Sequence, residues 1–188
     1  MIGGILKFAR SLAAFGNPTP VSYLRFIARK ESPIHICWSA QDRLALIRIP
    51  LWWKFKRAEK RKESKETFEY RAPDAFANTY LLLAGLAVAV NNGLVKPGES
   101  LRIAENLEAK NDDVKKRKFR NLPRSCREAA GNLLRQRKIY EEKGVFPPKL
   151  VEKTIQKLNG FGDGDLWNRL SKRRGETGKM IAQYLYYG

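Results

Sequence analysis

The chain is 188 residues long, 43% apolar and 30% charged, a balance that excludes a disordered chain and suits one domain, or one large fragment, with a real core. Lys and Arg total 37 against 19 acidic residues, and the net charge of +18 is extreme for a metabolic enzyme. It brings nucleic acid or another anionic surface into view as a partner. Cys37 and Cys126 stand far apart with no CxxC or metal-ligand spacing, so the expectation is reduced, buried thiols in a cytoplasmic protein.

Ile5, Leu6, Phe8, Ala9, Leu12 and Ala13 recur at helical spacing, which predicts a first helix ending near Gly16. Its Lys7 and Arg10 give it a faint likeness to a targeting segment, but no small-residue cleavage site follows and it reads as an internal helix. Asn17-Pro18-Thr19-Pro20 is a turn, and Arg25, Arg29, Lys30 and Glu31 form a charged loop closed by Pro33. Ile34–Trp38 and Leu44–Ile49 read as strands joined by a turn over Ser39–Arg43, the second ending at Pro50. The almost wholly charged stretch Lys54–Glu66 is a solvated loop or hairpin tip, and Thr67–Arg71 is a third strand.

A buried helix follows over Ala75–Val90, stopped by Asn91-Asn92-Gly93. Its apolar run of 16 residues falls short of the roughly 20 that a membrane span requires. Beyond it the chain is more polar and helical. Ser125 and Glu128 make a capping box, Lys143-Gly144 ends that helix, and Pro147-Pro148 opens another running to Asn159-Gly160. Phe161–Asp165 is a turn, and Lys179–Tyr187 is a last aromatic-rich segment.

On the third strand, alternation puts Glu69 and Arg71 on one face about 7 Å apart, with Phe68 and Tyr70 on the other. Two readings follow. A carboxylate beside a guanidinium suits a cleft handling a cation and an anion; on spacing alone it better suits a weak surface ion pair. Trp52-Trp53 beside Lys54, Lys56 and Arg57 either stack on bases or cover apolar surface. The basic runs at Lys54–Lys65, Lys115–Arg120 and Arg169–Arg174 match no nucleic-acid fold motif, and His35, the single histidine, reads as a packed strand residue.

Several short motifs fall in one order: Ile2-Gly3-Gly4-Ile5-Leu6-Lys7, Asn17-Pro18-Thr19 with Ser22-Tyr23 and Arg25, and Glu31-Ser32-Pro33. Arg43 with Ala45-Leu46-Ile47-Arg48-Ile49-Pro50, Glu69-Tyr70-Arg71-Ala72-Pro73-Asp74 and Ala77-Asn78-Thr79-Tyr80-Leu81 continue it, followed by Leu122-Pro123, Ser125, Glu128-Ala129 and Tyr186-Tyr187. In order and spacing these resemble the C-terminal half of the glutamine synthetase catalytic domain, most strongly from Ile2 to Gly93. The resemblance implies an α/β (α+β) fold: a partial, curved, mainly antiparallel sheet, a central buried helix and a helical C-terminal half. Residues 1–95 then hold the active-site strands and central helix, and residues 96–188 the helical tail.

The family joins ammonia to glutamate through γ-glutamyl phosphate, with ATP and divalent Mg²⁺ or Mn²⁺, in ring-shaped oligomers. By resemblance, Arg25 and Arg71 meet the glutamate substrate, and Glu31 sits on the flap that helps deprotonate ammonium. Arg43 faces the transferred phosphoryl group, Arg48 and Lys65 lie on the nucleotide side, and Glu69 is a metal ligand. The sequence departs from the pattern at Phe8 (usually His), Val21, Leu24, Gln41-Asp42, Leu44 and Thr67. The family's N-terminal domain and the first half of its catalytic domain, which supplies the Glu-x-Glu strand and further metal ligands, precede the matching region. The chain alone is therefore expected to be inert as a ligase. The alternative is a non-catalytic basic paralogue that binds nucleic acid or regulates an intact synthetase by joining its ring.

Overall fold

A computed structural model describes residues 1–28, 32–40, 42–50, 67–110, 119–166, 168, 178 and 181–183. Helix α1 (Ile2–Gly16) runs through the middle of the core. Ile5, Leu6, Phe8, Ala9, Leu12 and Ala13 are all buried, and so are Ser11 and Gly16. Its two basic side chains reach partners on surrounding helices. Lys7 Nζ lies 2.7 Å from Glu99 Oε1, and Arg10 donates to Asn132 Oδ1 at 3.1 Å and also to the Asn121 carbonyl and Glu128. A helix can be buried on all sides only when its polar heads are satisfied in this way.

The apolar run after the third strand forms α3 (Thr79–Val95), which differs from expectation in two respects. It begins at Thr79, capped by Asn78 Oδ1 accepting from Leu81 N at 3.1 Å, and it runs through Asn91-Asn92-Gly93. Moreover, α3 is not the buried central helix; that place belongs to α1. Tyr80 is 86% exposed and Leu83 58%, and Leu94 and Val95 on the last turns are exposed too. Apolar residues all round give a helix no single preferred face, so burial is decided by what packs against it. Here that face is Gly85, Val88, Ala89 and Gly93, set against α1. A Cβ on Gly4 would stand 2.2 Å from the Ala89 carbonyl oxygen, so these two backbones touch. Gly93 serves this close approach and does not stop the helix. Helix α4 (Pro97–Asn106) then turns away by 106°.

Strands β1 (His35–Ser39), β2 (Ala45–Arg48) and β3 (Glu69–Tyr70) form one sheet in the order β1-β2-β3. The α/β class is as expected, but the described pairings are one parallel (β1 with β2) and one antiparallel (β2 with β3), so this part of the sheet is mixed. The segment expected as a turn between β1 and β2 is a return loop, since the strands it joins run parallel. Asp42 organises it, with Oδ1 accepting from Leu44 N at 2.8 Å and N donating to Ser39 Oγ at 3.2 Å. The far edge of β1 is covered: Ile36 N donates to the Arg120 carbonyl and Trp38 N to that of Leu107. His35 sits on β1 as a packed strand residue bridged to Asn121.

The C-terminal half is helical as expected. Helix α5 (Cys126–Glu141) is capped by Ser125 Oγ accepting from Glu128 N at 3.1 Å. In place of the Ser125 N of the expected capping box, Glu128 Oε2 accepts from Arg124 N at 2.9 Å, and its other oxygen takes Arg10. Helix α6 (Pro148–Gly160) follows, after Gly144 at φ 68°. Phe15 of α1 stacks on Phe146 with ring centroids 4.9 Å apart and meets Tyr140 edge-on at 5.3 Å. Asp163, fully buried, turns back so that its carboxylate accepts from Cys126 N at 2.7 Å and Arg127 N at 3.0 Å. Burial and the neighbouring Asp163 push the Cys126 thiol well up, and both cysteines are buried, as expected.

Gly4→Ala is expected to lower stability by about 1–3 kcal/mol through overpacking against α3, whereas Gly98→Ala, whose Cβ meets nothing within 4 Å, changes it by less than about 0.5 kcal/mol; paired urea denaturation curves check this. Asp163→Ala orphans two N–H groups at the start of α5 and is expected to cost about 1–3 kcal/mol by the same measurement.

Candidate functional site

The site strand is fastened to the end of α1. Asn17 Nδ2 donates to the Ala72 carbonyl at 2.9 Å, and Asp74 N donates to the Gly16 carbonyl at 3.1 Å. Asn17 and Thr19 of the Asn-Pro-Thr segment are buried, and Thr19 bonds Ser22 at 3.0 Å to open a short 3-10 turn, Pro20–Tyr23. Arg25 follows on helix α2 (Leu24–Ala28), so it belongs to a helix and not to the charged loop expected there. Glu31 and Lys65 lie outside the described residues.

Antiparallel pairing places Arg48 of β2 directly opposite Glu69 of β3. Arg48 Nε lies 2.7 Å from Glu69 Oε2, and Arg71 Nε lies 3.9 Å from Glu69 Oε1. Strand alternation foresees Arg71 on the Glu69 face; the cross-strand Arg48 contact depends on register, which a single strand does not reveal. Arg71 also donates from Nη1 to the Arg43 and Ala45 carbonyls, the latter at 3.4 Å, and so ties the return loop to β3. Its side chain is only 14% exposed, against 40% for Arg48 and 47% for Glu69. The Arg43 residue is exposed, and its carbonyl is the part that meets Arg71. At this exposure the Arg48–Glu69 pair contributes about 0–1 kcal/mol, so it orients the wall more than it stabilises the fold.

Arg25 lies over the Phe26 ring at 4.9 Å. Its Nε and Nη2 are buried and carry no hydrogen-bond partner among the described residues, and nor does the buried Tyr70 hydroxyl. Burial pulls Arg25 below its ordinary pKa; Asp74 and Tyr70 oppose this, and the like charge of Arg71 adds to it. The structure thus gathers Arg48, Glu69, Arg71 and the Arg43 backbone on one wall, with Arg25 near enough to feel Arg71. Tyr70 packs against the core, as alternation predicts, and only its unpartnered hydroxyl was not foreseen. A tyrosine on the core face of a strand gives no signal that its hydroxyl lacks a partner.

A divalent metal requires several oxygen ligands. Among the described residues no group of three or more His, Cys, Asp or Glu comes together, and each Glu69 oxygen already faces a guanidinium. The described donor set therefore fits arginine and does not fit Mg²⁺ or Mn²⁺. Tyr70→Phe, which deletes an unsatisfied hydroxyl, is expected to leave stability unchanged or raise it by up to about 1 kcal/mol. Tyr140→Phe, which breaks the 2.6 Å bond to Ser11, is expected to cost about 1 kcal/mol; thermal unfolding of the two variants side by side checks the contrast.

The family model described as glutamine synthetase, catalytic domain, matches residues 1–157. The glutamine synthetase of Thermococcus kodakarensis is 37% identical over 145 residues, covering 76% of this chain and 31% of that protein. The Helicobacter pylori (strain ATCC 700392 / 26695) glutamine synthetase is 31% identical over 155 residues, 80% of this chain and 30% of that protein. The matched region thus spans about a third of these relatives. The cryo-EM structure of Plasmodium falciparum glutamine synthetase superposes with a TM-score of 0.66 over 89% of this chain and 38% of that one, and at 18% identity it speaks to the fold alone. The chain belongs to the glutamine synthetase family and falls within its catalytic domain.

Proposed function

We propose that this chain is the C-terminal portion of a glutamate–ammonia ligase catalytic unit that works in the cytoplasm, within a ring-shaped oligomer, only when joined to the remainder of the family's catalytic domain. The reaction is glutamate plus ammonia plus ATP to glutamine, ADP and phosphate by way of γ-glutamyl phosphate. The observation that carries this reading is the arginine wall, with Arg48 and Arg71 held around Glu69 on adjacent strands of a chain that matches the catalytic domain over residues 1–157.

Each residue has a part suited to its chemistry. Arg25 and Arg71 bind the substrate carboxylate, for which a planar guanidinium supplies two parallel donors. Arg43 faces the transferred phosphoryl group, and Arg48 and Lys65 steady the nucleotide, because phosphoryl transfer is chiefly positioning and charge neutralisation. Glu31 takes the proton from ammonium once the flap over it excludes water. ATP and the divalent metal belong to the assembled unit, where the metal finds its carboxylates on the remainder of the domain. The exposed side of α3, with Tyr80 and Leu83, supports assembly, since apolar surface of this kind is covered in a completed fold. The net charge of +18 favours a second reading, a non-catalytic module that binds nucleic acid or joins an intact ring.

Glutamine formation from glutamate, ammonium, ATP and Mg²⁺ separates these readings. The purified chain alone is expected to give none, and the chain mixed with the remaining part of a relative's catalytic domain is expected to give turnover that Arg71→Ala removes. Turnover by the chain alone overturns the requirement for a complement. An inert but assembled mixture overturns the enzyme-part reading in favour of the second.

A further inference from the structure

Helix α6 sorts its charges by sign. Its single acidic residue, Glu152, is tied to α5: Arg137 Nη1 lies 3.2 Å from Oε2, and Gln156 donates to Oε1 at 3.3 Å. Arg137 also holds Glu141, with Nη2 2.8 Å from its Oε1. The lysines face the other way. Lys149, Lys153 and Lys157 are exposed, and among the described residues none of their side chains has a hydrogen-bond or ion-pair partner. Four-residue spacing keeps the three on one side of the helix, with about 6 Å of rise between neighbours. The exposed acids Glu142 and Asp165 lie beyond the two ends of α6, and every charged stretch outside the described residues carries more Lys and Arg than Asp and Glu.

This row works against the helix that carries it. Like charges four residues apart repel, and Lys149 stands in the first turn, where the helix dipole disfavours a cation. A polyanion laid along the row removes both penalties. A membrane does not fit, because a helix lying on lipid buries its apolar face there, and Val151, Ile155 and Leu158 are already buried in the core. Single strands are held by stacking on aromatic side chains, and α6 has none. Duplex phosphates do fit: the row runs about 12 Å, roughly the length over which one strand presents three or four phosphates. We infer that the exposed face of α6 binds the phosphate backbone of double-stranded nucleic acid through Lys149, Lys153 and Lys157. Ammonium groups on phosphates carry no base information, so the binding is indifferent to sequence. The class of partner rests on the second reading above, and the surface is what is added to it. None of the three lysines belongs to the arginine wall, so the glutamine assay and the test of this face succeed or fail separately.

The probe is a labelled DNA duplex of about 20 base pairs, titrated with the full chain by fluorescence anisotropy between about 50 and 200 mM salt. Two duplexes of unrelated sequence are expected to bind within about threefold of each other. The triple variant Lys149→Gln, Lys153→Gln, Lys157→Gln is expected to bind at least about tenfold more weakly at the lower salt. It is also expected to lower the slope of log affinity against log salt by about 2–3, the counterion release of three phosphates. Replacing three cations elsewhere, with Lys96→Gln, Arg102→Gln and Lys110→Gln, is expected to change affinity by less than about threefold. Thermal unfolding of the α6 variant is expected no lower than that of the native chain, since the row repels itself. Lys153→Gln alone, expected to lower the slope by about 0.9, serves if the triple variant fails to fold. Equal losses from the two sets of substitutions overturn the α6 face and leave the second reading standing. Absence of duplex binding by the native chain overturns both. Tighter binding to single strands, or binding to phosphatidylserine vesicles in place of the duplex, overturns the inference as well.

Discussion

The site depends on the grip that the end of α1 has on the strand segment after β3. Asn17 holds the Ala72 carbonyl and Gly16 receives Asp74 N, so Glu69 and Arg71 are placed by a helix end and not by their own two-residue strand. A strand so short has little cooperative stability of its own. Its position is borrowed from α1, which is itself fixed by the α3 contact at Gly4 and by Arg10 reaching Asn121, Asn132 and Glu128 on the other side. The same helix thus joins the core, the arginine wall and the C-terminal helices.

Electrostatics divides the molecule in a similar way. In the interior, charge is admitted only with partners: Asp163 caps α5 through two backbone N–H groups, and Arg10 spreads its donors over three acceptors. At the wall the matching is looser. Among the described residues, Arg25 keeps two buried donors without a partner, and Tyr70 keeps a hydroxyl in the same condition. Buried polar groups are ordinarily satisfied, and such orphaned atoms also occur away from the wall, at Tyr23, His35, Asn121 and Gln136.

Much of the fold was legible. The helical spacing from Ile5 to Ala13, the Ser125 cap and the Pro148 start rest on local rules, and each element lies within a residue or two of its expected place. The errors share one physical origin. Asn91-Asn92-Gly93 has the composition of a helix stop, yet Gly93 is used for the approach of α1, a contact made with a residue 89 positions away. Ser39–Arg43 has the composition of a turn, yet the strands on either side of it run parallel. Composition tells where a chain bends and not which way it then runs.

Of the site, the sequence by itself determined the residue types, their order and, through alternation, that Glu69 and Arg71 share a face. It also determined the family, because short motifs in fixed order survive many substitutions between them. The tertiary structure alone decided that Arg48 stands opposite Glu69, that Arg71 Nη1 donates to the Arg43 and Ala45 carbonyls, and that α1 rather than α3 is the buried helix. Those outcomes rest on register and on which of two apolar helices finds partners on every side. Both are set by contacts between segments far apart in the chain, where local pattern carries no information.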